Sequence, residues 1–319
     1  MAPPPASPAP VDSEQELLLQ APLPHERVVY WGSGSPQAWR VLIALEEKRV
    51  PYRGVCVSFA SGVLKSPFFR ALNPRMRVPV LVEPVESAVS DASASPAAAA
   101  SASSGGAAAA AAEVAAIAQG ISHLLALAQE RVVVTESAAI LEFLERKFPH
   151  APSLPAALPL FALAQSRMHE ANELLSVVGD LVVYLRRFPR DARNAGVVAS
   201  KWAAVDAELG FWERQLAGKR FLVAADAPFL CDFILFTNVA YAVRCGLRLD
   251  GLYPRLAVFY ARLCARASVD ATWPPHWRTS PGSRVLTKCG DCQDKAQCEC
   301  VSEQELPPAA PRCGGLADE

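Results

Sequence analysis

The stretch from residue 27 to residue 82 constrains the fold most, because its apolar residues change period as the chain advances. The run "RVVYW" is β-branched and aromatic, the composition of a strand. It leads directly into "SPQAWRVLIALEEK", where Ala38, Val41, Leu42 and Leu45 recur at the i, i+3, i+4, i+7 spacing of one buried helical face. A second strand, "YRGVCVSF", follows. "NPRMRVPVLVE" is then a turn opening into a third. Strand, helix, strand in that order predicts an α/β domain with a partly parallel sheet.

The alternation stops at a low-complexity stretch, residues 84–130, rich in alanine and serine. The strand pattern returns at "RVVVTES", followed by the helical "SAAILEFLERKF". If "VPVLVE" and "RVVVTE" are the arms of a hairpin, more than forty residues separate them. Hairpin loops are ordinarily about two to five residues, so the stretch reads as an insertion. Its second half favours a helix, because alanine is the best helix former, and no catalytic role is expected of it. It is too alanine-rich and too often broken by Glu113, Gln119 and His123 to span a membrane.

Beyond residue 155 the strand signals nearly vanish. Long 3.6-periodic segments occupy 157–187, 192–217, 229–245 and 254–267, which predicts an all-helical domain. The prolines of "ATWPPHW" stop its last helix. The organisation expected is a disordered leader at 1–26 and an α/β domain at 27–150 carrying the insertion. An all-α domain at 155–280 and a cysteine-containing flexible tail at 283–319 complete it.

Composition excludes several function classes. The net charge is -1, whereas nucleic acids and anionic membranes attract clustered Lys and Arg. No basic and apolar leader marks the start, which argues for a cytoplasmic protein. Cys56, Cys231, Cys245 and Cys264 lie among apolar residues, as reduced core cysteines do. In "KCGDCQDKAQCECVSE", Cys289, Cys292, Cys298 and Cys300 have compressed spacing and no apolar flanks to build a zinc finger core. No metal site is expected there. His169 and His276 lack partners at ligand spacing, so no metal site is expected at either.

Ser35 followed by Pro36 is a helix start. Serine at the N-cap accepts a backbone N–H, and proline at the next position forfeits only an amide that has no partner anyway. That reading needs no function. The surrounding order of elements, with an X-Pro before the third strand, is however the thioredoxin-like layout, in which this turn carries the reactive group. Its four positions here are Ser35, Pro36, Gln37 and Ala38, without sulfur, so disulfide exchange is excluded. A hydroxyl at the positive end of a helix still stabilises another molecule's thiolate.

With "WGSGSPQAWRVLIALEEK", "RVPVL", "TESAAI" and the closing "WPPHW", the chain resembles a cytosolic glutathione transferase of the serine type, most like the rho class. The resemblance covers residues 27–280 apart from the insertion. It implies a thioredoxin-like domain followed by an all-α domain, a homodimer, and conjugation of reduced glutathione to hydrophobic electrophiles in detoxification.

It also implies roles. Ser35 would donate to the glutathione sulfur. Pro79 would be a cis-proline, and Val78 would pair its backbone with the cysteinyl part of glutathione. Glu136 and Ser137 would hold the γ-glutamyl end at a helix N-terminus, and Lys65 would approach the glycine carboxylate. Arg167, Met168 and Trp277 would border the electrophile pocket; the competing readings are a solvated Arg167, a packed Met168 and a Trp277 that packs the chain end. Ser33 and Tyr30 remain rivals of Ser35.

Three positions depart from the family pattern: Leu64 where histidine is frequent, Met76 where glycine is common, and Phe229 in place of a helix-capping Ser or Thr. Asp232 nearby reads as structural. A zeta-like glutathione-dependent isomerase, or a non-catalytic relative that binds but does not react, are the alternative functions.

Overall fold

The computed structural model describes residues 10–23, 25–84, 131–224 and 226–287. The insertion between them and the cysteines from Cys289 onward lie outside the described residues.

These residues form two compact units. Of the described residues, one unit holds those within 10–32, 51–84 and 131–140, and the other those within 33–50 and 141–287. The first contains a four-stranded mixed sheet of β1 (Val28–Trp31), β2 (Arg53–Cys56), β3 (Val80–Pro84) and β4 (Arg131–Thr135) in the order β2-β1-β3-β4. β1 and β2 are parallel, with Val28 opposite Arg53 and Trp31 opposite Cys56. β3 runs antiparallel to β1 and to β4. Val28 and Tyr30, two apart on β1, share a core with Val80, Val82, Phe68 and Phe69.

Residues 10–23 are ordered, in contrast to the disordered leader expected over 1–26. α1 (Glu14–Leu19) is held by a capping box. Ser13 Oγ accepts from the Glu16 amide at 3.2 Å, and the Glu16 carboxylate reaches back to the Ser13 and Asp12 amides. Leu17 is fully buried in the sheet core. The Glu14 carboxylate accepts the Phe68 amide at 2.8 Å, where α3 (Pro67–Leu72) begins. Val11 pairs with Val57 as an isolated parallel bridge. The "SEQE" box is a local helix-start signal in the sequence.

The second unit is helical. α5 (Leu158–Arg187), α6 (Ala195–Gln215), α7 (Leu230–Arg244) and α8 (Pro254–Cys264) occupy the periodic segments, followed by α9 (Ala267–Ala271) and α10 (Pro275–Thr279). α7 is buried on nearly every side, which explains its weak amphipathic pattern. Asp232 in its first turn is fully buried and accepts the Leu222 and Phe229 amides at 2.8 and 2.9 Å. That is the structural role expected of it. α4 (Ser137–Lys147) follows β4.

By its contacts α2 (Pro36–Glu47), part of the α/β domain expected from the sequence, groups with this helical unit. Its side chains show why. Trp39 packs on Phe236, Trp273 and Trp277, and its Nε1–H donates to Thr272 Oγ1 at 3.0 Å. Arg40, 1% exposed, donates to Asn172 Oδ1 and Asn238 Oδ1 at 2.9 and 3.0 Å. Glu47 receives a two-pronged pair from Arg266 at 2.7 Å. Lys48, just beyond the helix, meets the Glu145 carboxylate at 2.6 Å and the Ala151 carbonyl at 2.7 Å.

Candidate functional site

Ser35 is the N-cap of α2. Its backbone is extended, its Oγ accepts the Ala38 amide at 3.3 Å, and Pro36 opens the helix. The hydroxyl proton is a separate resource from the lone pair used in capping. The nearest acceptor for it is Gln37 Oε1 at 3.5 Å, too long for a strong bond. The cap and a donor role toward an incoming anion are therefore compatible, since a hydroxyl accepts and donates at once.

Ser33, two residues earlier, has a strong partner of its own. Its Oγ lies 2.6 Å from His276 Nδ1 on α10. The imidazole pKa is lowered below its ordinary value by burial, and further by the Arg244 charge, so the ring is neutral near pH 7. Gly34 between the two serines has φ +85. A Cβ there would come to 2.9 Å from His276 Cε1 and 3.2 Å from Trp277 Nε1, so the turn and α10 fit only around glycine. No sequence signal links Ser33 to a histidine 243 positions away, and the pair was missed for that reason.

Tyr30 is fully buried, edge-on to Phe68 and Phe69, with its hydroxyl donating to the Gln20 carbonyl at 3.3 Å. Burial pushes its pKa well up. It is a core residue and is removed as a rival of Ser35.

The sheet unit brings four of the expected positions to one place. The Val78–Pro79 peptide is cis. It enters β3 at Val80, which pairs with Thr135 at the end of β4. The antiparallel register therefore sets Val78 and Pro79 beside Glu136 and Ser137, at the same end of neighbouring strands. Glu136 is exposed and has φ 66, a left-handed conformation uncommon for a residue with a side chain. Backbone strain of this kind concentrates where a ligand or a mechanism needs it. Ser137 begins α4. Lys65 is exposed, on the single turn Val63–Lys65 ahead of α3. Met76 has φ 54, the physical reason glycine suits its position.

The three residues expected at the electrophile pocket have packing roles in the helical unit. Met168 is 4% exposed in the core of α5. Arg167 is tied to Glu170 and donates to Gln215 Oε1 at 2.7 Å, its guanidinium 5.6 Å from the Phe211 ring centre. Trp277 is 9% exposed and edge-on to Trp39, with Arg244 over its ring. Among the described residues no group of three or more His, Cys, Asp or Glu side chains could hold a metal ion. Cys56, Cys231, Cys245 and Cys264 are buried.

Comparison with known proteins agrees with this layout. A family profile described as "Glutathione S-transferase, N-terminal domain" matches residues 34–95. The chain is 28% identical over 270 residues to "Glutathione S-transferase A" of Pleuronectes platessa, covering 82% of this chain and 98% of that protein. Among solved structures, a glutathione S-transferase from the Antarctic clam Laternula elliptica is 28% identical, with a TM-score of 0.63 over 82% of this chain and 98% of that one. A glutathione transferase of Phanerochaete chrysosporium, solved with oxidized glutathione, is 18% identical and shares the fold, with a TM-score of 0.58 over 80% of this chain and 98% of that one.

Proposed function

We propose that the chain, which is similar to glutathione S-transferases, conjugates reduced glutathione to small hydrophobic electrophiles, as a serine-type enzyme most like the rho class. The observation that carries this reading is Ser35, a partly exposed hydroxyl at the N-cap of a helix of 12 residues. Its oxygen is held by the Ala38 amide and its proton is available.

The energetics suffice without a metal. A free thiol has a pKa of about 8.5. Lowering it by about two units takes about 2.7 kcal/mol of thiolate stabilisation. One hydrogen bond to a charged group supplies about 1.5–3 kcal/mol. A helix N-terminus supplies about 0.3–2 kcal/mol more.

Val78 and Pro79 then hold the cysteinyl backbone of glutathione, Glu136 and Ser137 the γ-glutamyl end, and Lys65 the glycine carboxylate. The strained Glu136, set beside Val78 and Pro79 by the sheet register, supports this assignment. The same reading makes the protein a cytoplasmic homodimer acting in detoxification. It gives Arg167, Met168 and Trp277 an indirect part, as the packing behind an electrophile pocket. Among the described residues no helix is long and apolar enough to cross a membrane.

The test is conjugation of glutathione to 1-chloro-2,4-dinitrobenzene by the full chain and by Ser35→Ala, with retention on glutathione resin in parallel. The expected result is retained binding with a rate reduced about 100-fold, the scale of a lost anion-stabilising donor. Equal rates in both proteins would remove Ser35 from the chemistry. Binding without conjugation of any electrophile would favour the non-catalytic relative.

A further inference from the structure

Ser35 supplies a donor for a thiolate, but it does not say where the thiol proton goes. A serine that donates to the sulfur cannot also be its base. The turn that carries Ser35 contains a second hydroxyl with an acceptor already attached. Ser33 Oγ and His276 Nδ1 are 2.6 Å apart, a short contact for a hydroxyl and an imidazole nitrogen.

The tautomer that fits a neutral ring places the proton on Nε2, leaves Nδ1 as the acceptor, and has Ser33 O–H donating to it. Ser33 is then committed as a donor to His276 and presents only lone pairs to anything approaching from the other side. Such a hydroxyl does not compete with Ser35 for the thiolate; it is a proton acceptor. Ser33, Gly34 and Ser35 are consecutive and all partly exposed, so the two hydroxyls stand on one accessible turn.

We propose that Ser33 and His276 form the proton-accepting arm of this site, passing the glutathione thiol proton through Ser33 to His276 Nδ1. The inference rests on glutathione being the ligand of Ser35. The S–H bond breaks and an O–H bond forms on Ser33, while the original Ser33 proton moves to Nδ1. The product is a thiolate facing Ser35 and an imidazolium at position 276. When the thiolate attacks the electrophile, the leaving group departs with its electron pair. His276, exposed on α10, then releases the proton to water.

The charged surroundings suit a transient acceptor. Arg244, on α7 and bonded to Ser280, disfavours the imidazolium at rest through its charge. Arg278, on the same short helix, is occupied by Asp270. The ring therefore stays neutral until a thiolate forms beside it, and a new anion within a few ångströms favours the charged ring. Gly34 keeps the arrangement compact, because any Cβ at that position would displace the imidazole. Ser33 touches the reacting proton. His276 acts through Ser33, and its test needs a readout that simple packing would not move.

The experiment is calorimetric titration of glutathione into the full chain at about pH 6.5, in two buffers of different ionisation heat, which counts protons released on binding. S-methyl glutathione, which has no thiol proton, is the blank. The variants are His276→Asn, whose side chain can still bond Ser33 but cannot take a proton, and Ser33→Ala. Wild type should release almost no thiol proton, because His276 retains it. Both variants should release about half a proton or more to the buffer. Their conjugation rates at about pH 6.5 should fall about twofold, in step with the thiolate fraction lost, and recover at alkaline pH, where solvent takes the proton. The double variant should lose no more than either single one, as expected of groups acting as one unit.

The same proton count and the same pH–rate profile in wild type and His276→Asn would overturn the inference. If wild type binds neither glutathione nor S-methyl glutathione, the assignment of the ligand fails and the relay falls with it.

Discussion

At the scale of single residues, the same polar atom repeatedly does structural work with one lone pair and leaves another capacity over. Ser35 caps α2 through its oxygen and keeps its proton for a ligand. Asp232 is the opposite case, a carboxyl whose capacity is spent inside the protein. Burial raises its pKa to about 6, against the pull of the Leu222 and Phe229 amides. The sign of its contribution follows. Between about pH 4 and pH 6 the unfolded chain has lost this proton while the folded chain retains it. Stability from this group is thus full below pH 4 and declines as pH rises to 6, by about 3 kcal/mol for a shift of two units. In Asp232→Asn that slope should disappear. Urea denaturation of both proteins at several pH values checks it: the wild type's relative stability should drop across the window, and parallel curves would mean that Asp232 is ionised throughout.

At the scale of elements, α2 is the one to explain, because a 12-residue helix carries the candidate donor at its first turn. Helices of that length are marginal alone and take their stability from packing. Here the packing includes a buried cation. Arg40 bridges Asn172 on α5 and Asn238 on α7, its Nε has no hydrogen-bond partner, and desolvation pulls its pKa down to about 9. The Asn238 amide is itself committed to the Ala171 carbonyl at 2.7 Å. Arg40→Met should therefore do more than delete a charge: it strands two asparagine oxygens. The expected loss is about 2–5 kcal/mol, read as a lower urea midpoint. Adding Asn172→Leu and Asn238→Leu should restore part of it, because the orphaned acceptors go as well. No restoration in the triple variant would show that the three polar groups were not the source of the cost.

At the scale of the whole chain, the separation of strands in sequence is large where their separation in space is small. Pro84 pairs with Arg131, so the ends of β3 and β4 are adjacent although residues 85–130 intervene. A two-residue Asn-Gly turn suits such a register. Replacing residues 85–130 by Asn-Gly should leave a folded protein that still binds glutathione resin, with conjugation within about threefold of wild type, since loop length costs stability only weakly. Aggregation, or loss of resin binding, would show that the segment is needed. The order of strands and helices was legible in the sequence because apolar period is a local property: "RVVYW", "SPQAWRVLIALEEK" and the four long helices each announce themselves within a dozen or so residues. The cap at Ser35 was legible for the same reason, as was the X-Pro at Val78–Pro79. The ordering of α1 was locally encoded by "SEQE", yet it became visible only once Leu17 and Glu14 had a sheet unit to dock on. The grouping of α2 with the helical unit, the buried guanidinium of Arg40 and the contact of Ser33 with His276 have no local signature at all. Each depends on residues more than a hundred positions apart, brought together by side-chain burial that no short window of sequence contains. The chain's own pattern determined which elements form and where a hydroxyl would meet a helix end. Tertiary packing alone decided which of two neighbouring serines was given a base.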